Sequence, residues 1–139
     1  MDIETIEYKG KEIPISISIK TENKLKIFII DHNQLLVDED IAIKELWNKF
    51  FEFIILNCNK KVIFVQNLGS FDGFCDYKAL SKRFKPEEVI CLIYSQNKFI
   101  QITIEIKKLK IVLKDFYRTF QISLNYFFNI LSLQGKFSV

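Results

Sequence analysis

The sequence predicts a mixed α/β domain, a sheet of short strands flanked by helices. Three observations predict it. Ile13, Ile15, Ile17 and Ile19 alternate with polar or small residues, the period of a strand with one buried face. Ile43, Leu46, Trp47, Phe50 and Ile54 recur at spacings of three and four, the mark of a helix with a broad apolar stripe. Lys61 to Gln66 is a continuous apolar run bounded by turns, as expected of a central strand covered on both faces.

Taken in order, residues 2–8 read as a strand, and Lys9-Gly10-Lys11 as a turn into the isoleucine strand. Glu22-Asn23-Lys24 turns into a third strand, Leu25 to Ile30, which completes an antiparallel meander. His32 falls in a polar loop, Asp31-His32-Asn33-Gln34, where turn chemistry is expected. A helix then runs from Asp40 to Leu56, and Asp38, Glu39 and Asp40 suit the positive end of its dipole. After the strand at 61–66, a helix runs from Gly73 or Phe74 to Phe84, and Pro86 opens the next segment. Val89–Tyr94, Phe99–Ile106 and Leu109–Leu113 read as strands joined at Gln96-Asn97-Lys98 and Lys107-Lys108. Ser123 caps a last helix, Leu124 to Leu133, which ends at Gly135.

A strand that comes after a crossover helix normally lies parallel to its neighbour. The order therefore fits an RNase H-like core, with three antiparallel strands and a fourth parallel to the first. In that arrangement strands one and four lie side by side.

Length and composition bound the rest. The 139 residues make one domain with a core of its own. No apolar run is long enough to span a membrane, and the acidic start is unlike a signal peptide. The charge of +3 is mild, and its one cluster, Lys107-Lys108-Leu109-Lys110, reads as a solvated turn between strands or as a patch that could touch a phosphate backbone. Cys58, Cys75 and Cys91 have neither disulfide nor zinc spacing, which points to a reducing compartment. Arginine occurs only at Arg83 and Arg118, beside abundant Ile, Lys, Phe and Asn, the bias of an AT-rich coding sequence.

Two motifs carry chemistry. Asp2-Ile3-Glu4-Thr5 places two carboxylates on one side of a strand. Asn67-Leu68-Gly69-Ser70-Phe71-Asp72-Gly73 comes directly after the apolar strand, with Gly69 and Gly73 bracketing a tight path. Asn67 can bond a phosphate or sugar oxygen, and Phe71 offers an unpaired base a stacking face, worth about 1–3 kcal/mol. Hard cations take carboxylate oxygens and waters. Two ions about 4 Å apart can activate water and stabilise the leaving oxygen in phosphodiester cleavage. Three gathered carboxylates are what such a site needs.

The stretch from Lys61 to Leu80 closely resembles the second exonuclease motif of family B DNA polymerases, in the protein-primed branch of linear mitochondrial plasmids and viruses. Asp2-Ile3-Glu4-Thr5 resembles that family's first exonuclease motif. The stretch from Leu113 to Leu124, and Gly135-Lys136-Phe137, resemble the family's segment after its second motif. The chain departs from the family at Gln66 (usually His), at Phe116 (usually Ser) and at Phe120-Gln121 (usually Leu-Pro). The third motif, Tyr-x-x-x-Asp, and the polymerase palm are expected beyond residue 139.

The resemblance implies a single, partial 3′→5′ proofreading exonuclease domain over residues 1–139, part of a DNA-directed DNA polymerase. Asp2, Glu4 and Asp72 would be the catalytic residues and hold two Mg²⁺ or Mn²⁺ ions. Thr5, Asn67 and Phe71, with Lys136, would hold the single-stranded 3′ end of DNA. The isolated chain is expected to be inactive or very slow. Expected partners are single-stranded DNA and either a terminal protein or the remaining polymerase segments, with no membrane. The expected location is the mitochondrion, by organelle or plasmid encoding. The other reading is a non-catalytic single-strand-binding remnant or a decayed reading frame.

Overall fold

The computed structural model describes residues 1–66, 78–95 and 98–116, with the main chain alone at 91–95 and 98–100. The chain opens as a meander. β1 (Asp2–Tyr8) pairs antiparallel with β2 (Lys11–Lys20), and β2 with β3 (Leu25–Ile29). The loop between β1 and β2 is two residues, and both have positive φ, Lys9 at 51° and Gly10 at 81°. That combination matches the right-handed twist of the strands it joins.

The polar loop expected at His32 is instead a short helix, α1 (His32–Val37). The Asp31 carboxylate caps it by accepting from the N–H groups of Asn33 and Gln34 at 2.9 and 3.2 Å. Asp38 then serves two helices. Its own N–H donates to Gln34 O and closes α1, while its carboxylate accepts from Asp40 and Ile41 N–H and opens α2 (Glu39–Asn57). This satisfies main-chain groups that helix ends otherwise leave bare.

The α2 stripe of Leu46, Trp47, Phe50, Phe51 and Ile54 is buried against β2, β3 and the far sheet. Phe28, Trp47, Phe50, Phe51 and Phe84 interlock there, mostly edge to face at centroid distances of 5.4–6.0 Å. Cys58 ends the helix by donating its N–H to Ile54 O.

β4 (Lys61–Val65), β5 (Val89–Ser95), β6 (Lys98–Ile106) and β7 (Leu109–Asp115) make a second sheet in the order β4-β7-β6-β5. β4 runs parallel to β7; the other pairs are antiparallel. Its register is pinned where the chain leaves α2: Lys60 N–H donates to Lys110 O, and Lys110 N–H to Asn59 Oδ1. Residues 78–83 are helical, and a 3-10 turn, Pro86–Glu88, leads into β5. The expected helix start near Gly73, the turn at 96–97 and the expected last helix at 124–133 lie outside the described residues.

Two further expectations are corrected. The single sheet with strand four beside strand one does not form along the strands. β4 pairs with β7, because the β6–β7 hairpin brings a strand back to it, and β1 stays in its own three-stranded sheet. Nor is β4 covered on both faces. Ile63 and Val65 face the core, while Val62 and Phe64 are 46% and 36% exposed on the other side. Among the described residues, main-chain bonds still join the two sheets at Met1. The Met1 ammonium donates to Phe64 O at 2.8 Å, and Gln66 N–H donates to Met1 O at 3.2 Å. That pair of bonds is the pattern of a parallel bridge, with Met1 opposite Val65.

Candidate functional site

Three chain ends gather at this junction: the start of β1, the carboxyl end of β4 and the carboxyl end of β7. Val65 stands opposite Met1 on one side and Asp115 on the other. β4 and β7 run parallel, so both end at this junction. Ile3 points into the core, so strand alternation turns Asp2 and Glu4 to the outer face, beside Ser18 and Ser16 of β2. Asp2 is half-buried and Glu4 exposed. Asp2 Oδ1 accepts from Ile3 N–H at 3.0 Å, and its carbonyl accepts from the Ser18 hydroxyl at 3.5 Å.

A groove of about 720 Å³ opens beside Asp2. Phe64, Gln66 and Phe116 line it from the second sheet, and Lys20, Lys24 and Lys61 add positive charge. The rings of Phe64 and Phe116 meet edge to face at 6.3 Å. Such a groove offers aromatic faces to bases and ammonium groups to phosphates, the combination that single-stranded nucleic acid uses.

The structure brings together Asp2 and Gln66, the residue just before the motif at 67–73. Glu4 and Thr5 lie further along β1 and do not line the groove; a β-bulge falls between them. Asn67, Phe71, Asp72 and Lys136 lie outside the described residues. Among the described residues, no three Asp, Glu, His or Cys side chains gather as a metal-binding group. The oxygen donors of Asp2 and Glu4 are of the kind Mg²⁺ and Mn²⁺ prefer.

Sequence reasoning missed Phe64 and Phe116 as groove residues. An aromatic in an apolar strand reads as core, and only the uncovered outer face of β4 shows otherwise. It also missed the groove lysines, which come from three separate turns and strands. The buried carboxylate of Asp115, 3% exposed at the end of β7, was likewise not singled out. Among the described residues, no helix is long and apolar enough to cross a membrane. No family model, no curated protein and no solved structure matches this chain.

Proposed function

We propose that this chain is the 3′→5′ exonuclease part of a family B DNA polymerase, and that the groove at Asp2 receives the single-stranded 3′ end of DNA. The observation that carries the reading is the hydrogen bond from Gln66 N–H to the carbonyl of Met1. The second motif thus leaves β4 one residue beyond a bond to the neighbour of Asp2, as convergence of Asp2, Glu4 and Asp72 requires. The same bridge supports the finer fold reading, an RNase H-like core in which the residue before β1 bridges the end of β4.

Asp2, Glu4 and Asp72 would hold two Mg²⁺ or Mn²⁺ ions, which when bound supply an activated water and charge stabilisation at the scissile phosphate. Thr5, Asn67, Phe71 and Lys136 would position the strand, with Phe64 and Phe116 as further stacking faces. A terminal protein or other polymerase segments as partners, and a mitochondrial setting, extend from the same resemblance.

A non-catalytic single-strand binder is the second reading. The Phe64–Phe116 pair and the groove lysines favour it, since neither needs a metal.

Mn²⁺ titration followed by electron paramagnetic resonance separates the two. The exonuclease reading expects Mn²⁺ binding that weakens at least about tenfold in Asp2→Ala and in Glu4→Ala. It also expects tighter binding of a single strand with a free 3′ end than of a closed circle. Mn²⁺ binding identical in both variants and the wild type sinks it, and strand binding without end preference leaves the second reading.

A further inference from the structure

β3 forms one edge of the first sheet, and among the described residues no strand pairs with its open side. Leu25, Ile27 and Ile29 make a row on one face of it, exposed at 65%, 53% and 62%. On the other face Phe28 packs against Phe50 of α2. The three residues of the row also turn their main chain outward. Thr21 N–H donates to Lys24 O and Ile30 N–H to Ile15 O, both at 2.8 Å, and the β2–β3 register runs unbroken between them. Antiparallel partners alternate between bonded and non-bonded pairs. Even-numbered residues of β3 therefore bond to β2, and the N–H and C=O of Leu25, Ile27 and Ile29 point to the open edge.

Sheet edges are commonly guarded by proline, a bulge or an inward charge. β1 has a bulge between Glu4 and Thr5, and β3 has none. The charge within β3, Lys26, lies over the ring of Phe28 in its own chain, 5.8 Å from the centroid, on the face opposite the apolar row. The two ends of the strand differ in charge. Lys20, beside Leu25, and Lys24 stand at the amino end, where Glu22 in the turn removes one charge, and Asp31 follows the carboxyl end. Parallel pairing of two such strands would set like ends together, whereas antiparallel pairing sets Lys24 of one copy near Asp31 of the other. The strand also has a symmetric centre. With Ile27 on a two-fold axis, Leu25 of each copy faces Ile29 of the other, and every outward main-chain group finds a partner, about six hydrogen bonds in all. The matched apolar row and the opposed end charges are what the strand offers to itself, beyond the main-chain groups that any extended segment would meet.

We propose that two copies of this chain join through β3, edge to edge and antiparallel about Ile27, into one continuous sheet. The contact is a single strand pair, smaller than a standard interface, so the expected dissociation constant is about 10–100 μM. Leu25 also lines the groove at Asp2, but pairing at β3 needs neither metal nor DNA and does not depend on the exonuclease reading.

Sedimentation equilibrium of the full chain is expected to show monomer and dimer exchanging at these concentrations. Ile27→Pro keeps an apolar side chain and removes an N–H that bonds nothing in the β2–β3 ladder. It is expected to keep the fold and to weaken the dimer at least about tenfold. Ile27→Lys, at an exposed position, is the second disrupting variant, with the same expected loss and unchanged circular dichroism. Leu56→Lys removes a more exposed apolar side chain, near the end of α2, and is expected to leave the dimer intact. Hydrogen exchange is expected to slow in β3 as the concentration rises, and not in β6 or β7. A monomer at up to about 1 mM, which would leave the edge to an extended segment of another protein, overturns the proposal. So does a dimer that survives in both Ile27 variants, or one that adds no protection in β3.

Discussion

Cys58 is a residue whose chemistry is set by where α2 ends. Its side chain is 2% exposed, and burial pushes its thiol above the usual range, opposed in part by the positive charge of Lys61. A raised thiol pKa means that the folded state holds the proton more tightly than the unfolded chain does. The stabilisation is fully present below the ordinary thiol range, about pH 8.5, and is lost as pH climbs through the folded value. The melting temperature of the wild type is therefore expected to fall more steeply above that pH than that of Cys58→Ala. Parallel thermal melts of the two from pH 7 to pH 10.5 check it, and parallel slopes would show that the buried thiol carries no such linkage. At this scale the sequence was legible where alternation decides: Asp2 and Glu4 share a face because Ile3 between them is needed by the core. It was not legible for Phe64 and Phe116, because hydrophobicity alone does not tell which face of a strand will be covered.

Among the elements, α2 was the easiest to read and has the clearest energetic consequences. Its 19 residues repeat the apolar spacing over five turns, and a capping aspartate precedes them. Phe50 is wholly buried and touches Phe28, Trp47 and Phe51. Phe50→Ala is expected to cost about 3–5 kcal/mol, since the surrounding rings cannot collapse fully into the space. Asp38→Ala is expected to cost about 0.5–2 kcal/mol, because the amides of Asp40 and Ile41 lose their acceptor. Urea denaturation of both variants tests the ranking, and a larger loss at Asp38 than at Phe50 would contradict it. α1 escaped the sequence for a physical reason. Six residues show less than two turns of periodicity, and only the aspartate before His32 signals a helix start. The salt bridge from Lys11 to Glu39 was equally invisible, since it joins residues far apart in the chain.

At the scale of the whole molecule, the strands and the antiparallel meander of the first three were legible, and the partner of β4 was not. Each strand announces itself through its own period, whereas the pairing of β4 with β7 depends on a hairpin far along the chain. The parallel bridge at Met1 depends in turn on where the first residue falls against Val65. That bridge can be tested without disturbing either sheet. The β4–β7 ladder ends at Val65 opposite Asp115, so the N–H of Gln66 serves Met1 outside that ladder. Gln66→Pro removes this donor and keeps Val65 extended, as a residue before proline prefers. Gln66→Ala removes the side chain and keeps the donor. If the bridge gathers Asp2 and the second motif around shared cations, the proline variant should lose Mn²⁺ affinity by at least about tenfold. The alanine variant should bind Mn²⁺ as the wild type does. The proline variant should also lose hydrogen-exchange protection in β1 while β6 and β7 keep theirs, for a stability cost of about 0.5–1.5 kcal/mol. Undiminished Mn²⁺ binding in the proline variant would show that Asp2 and the second motif do not need this junction, and would remove the main support for a shared metal site.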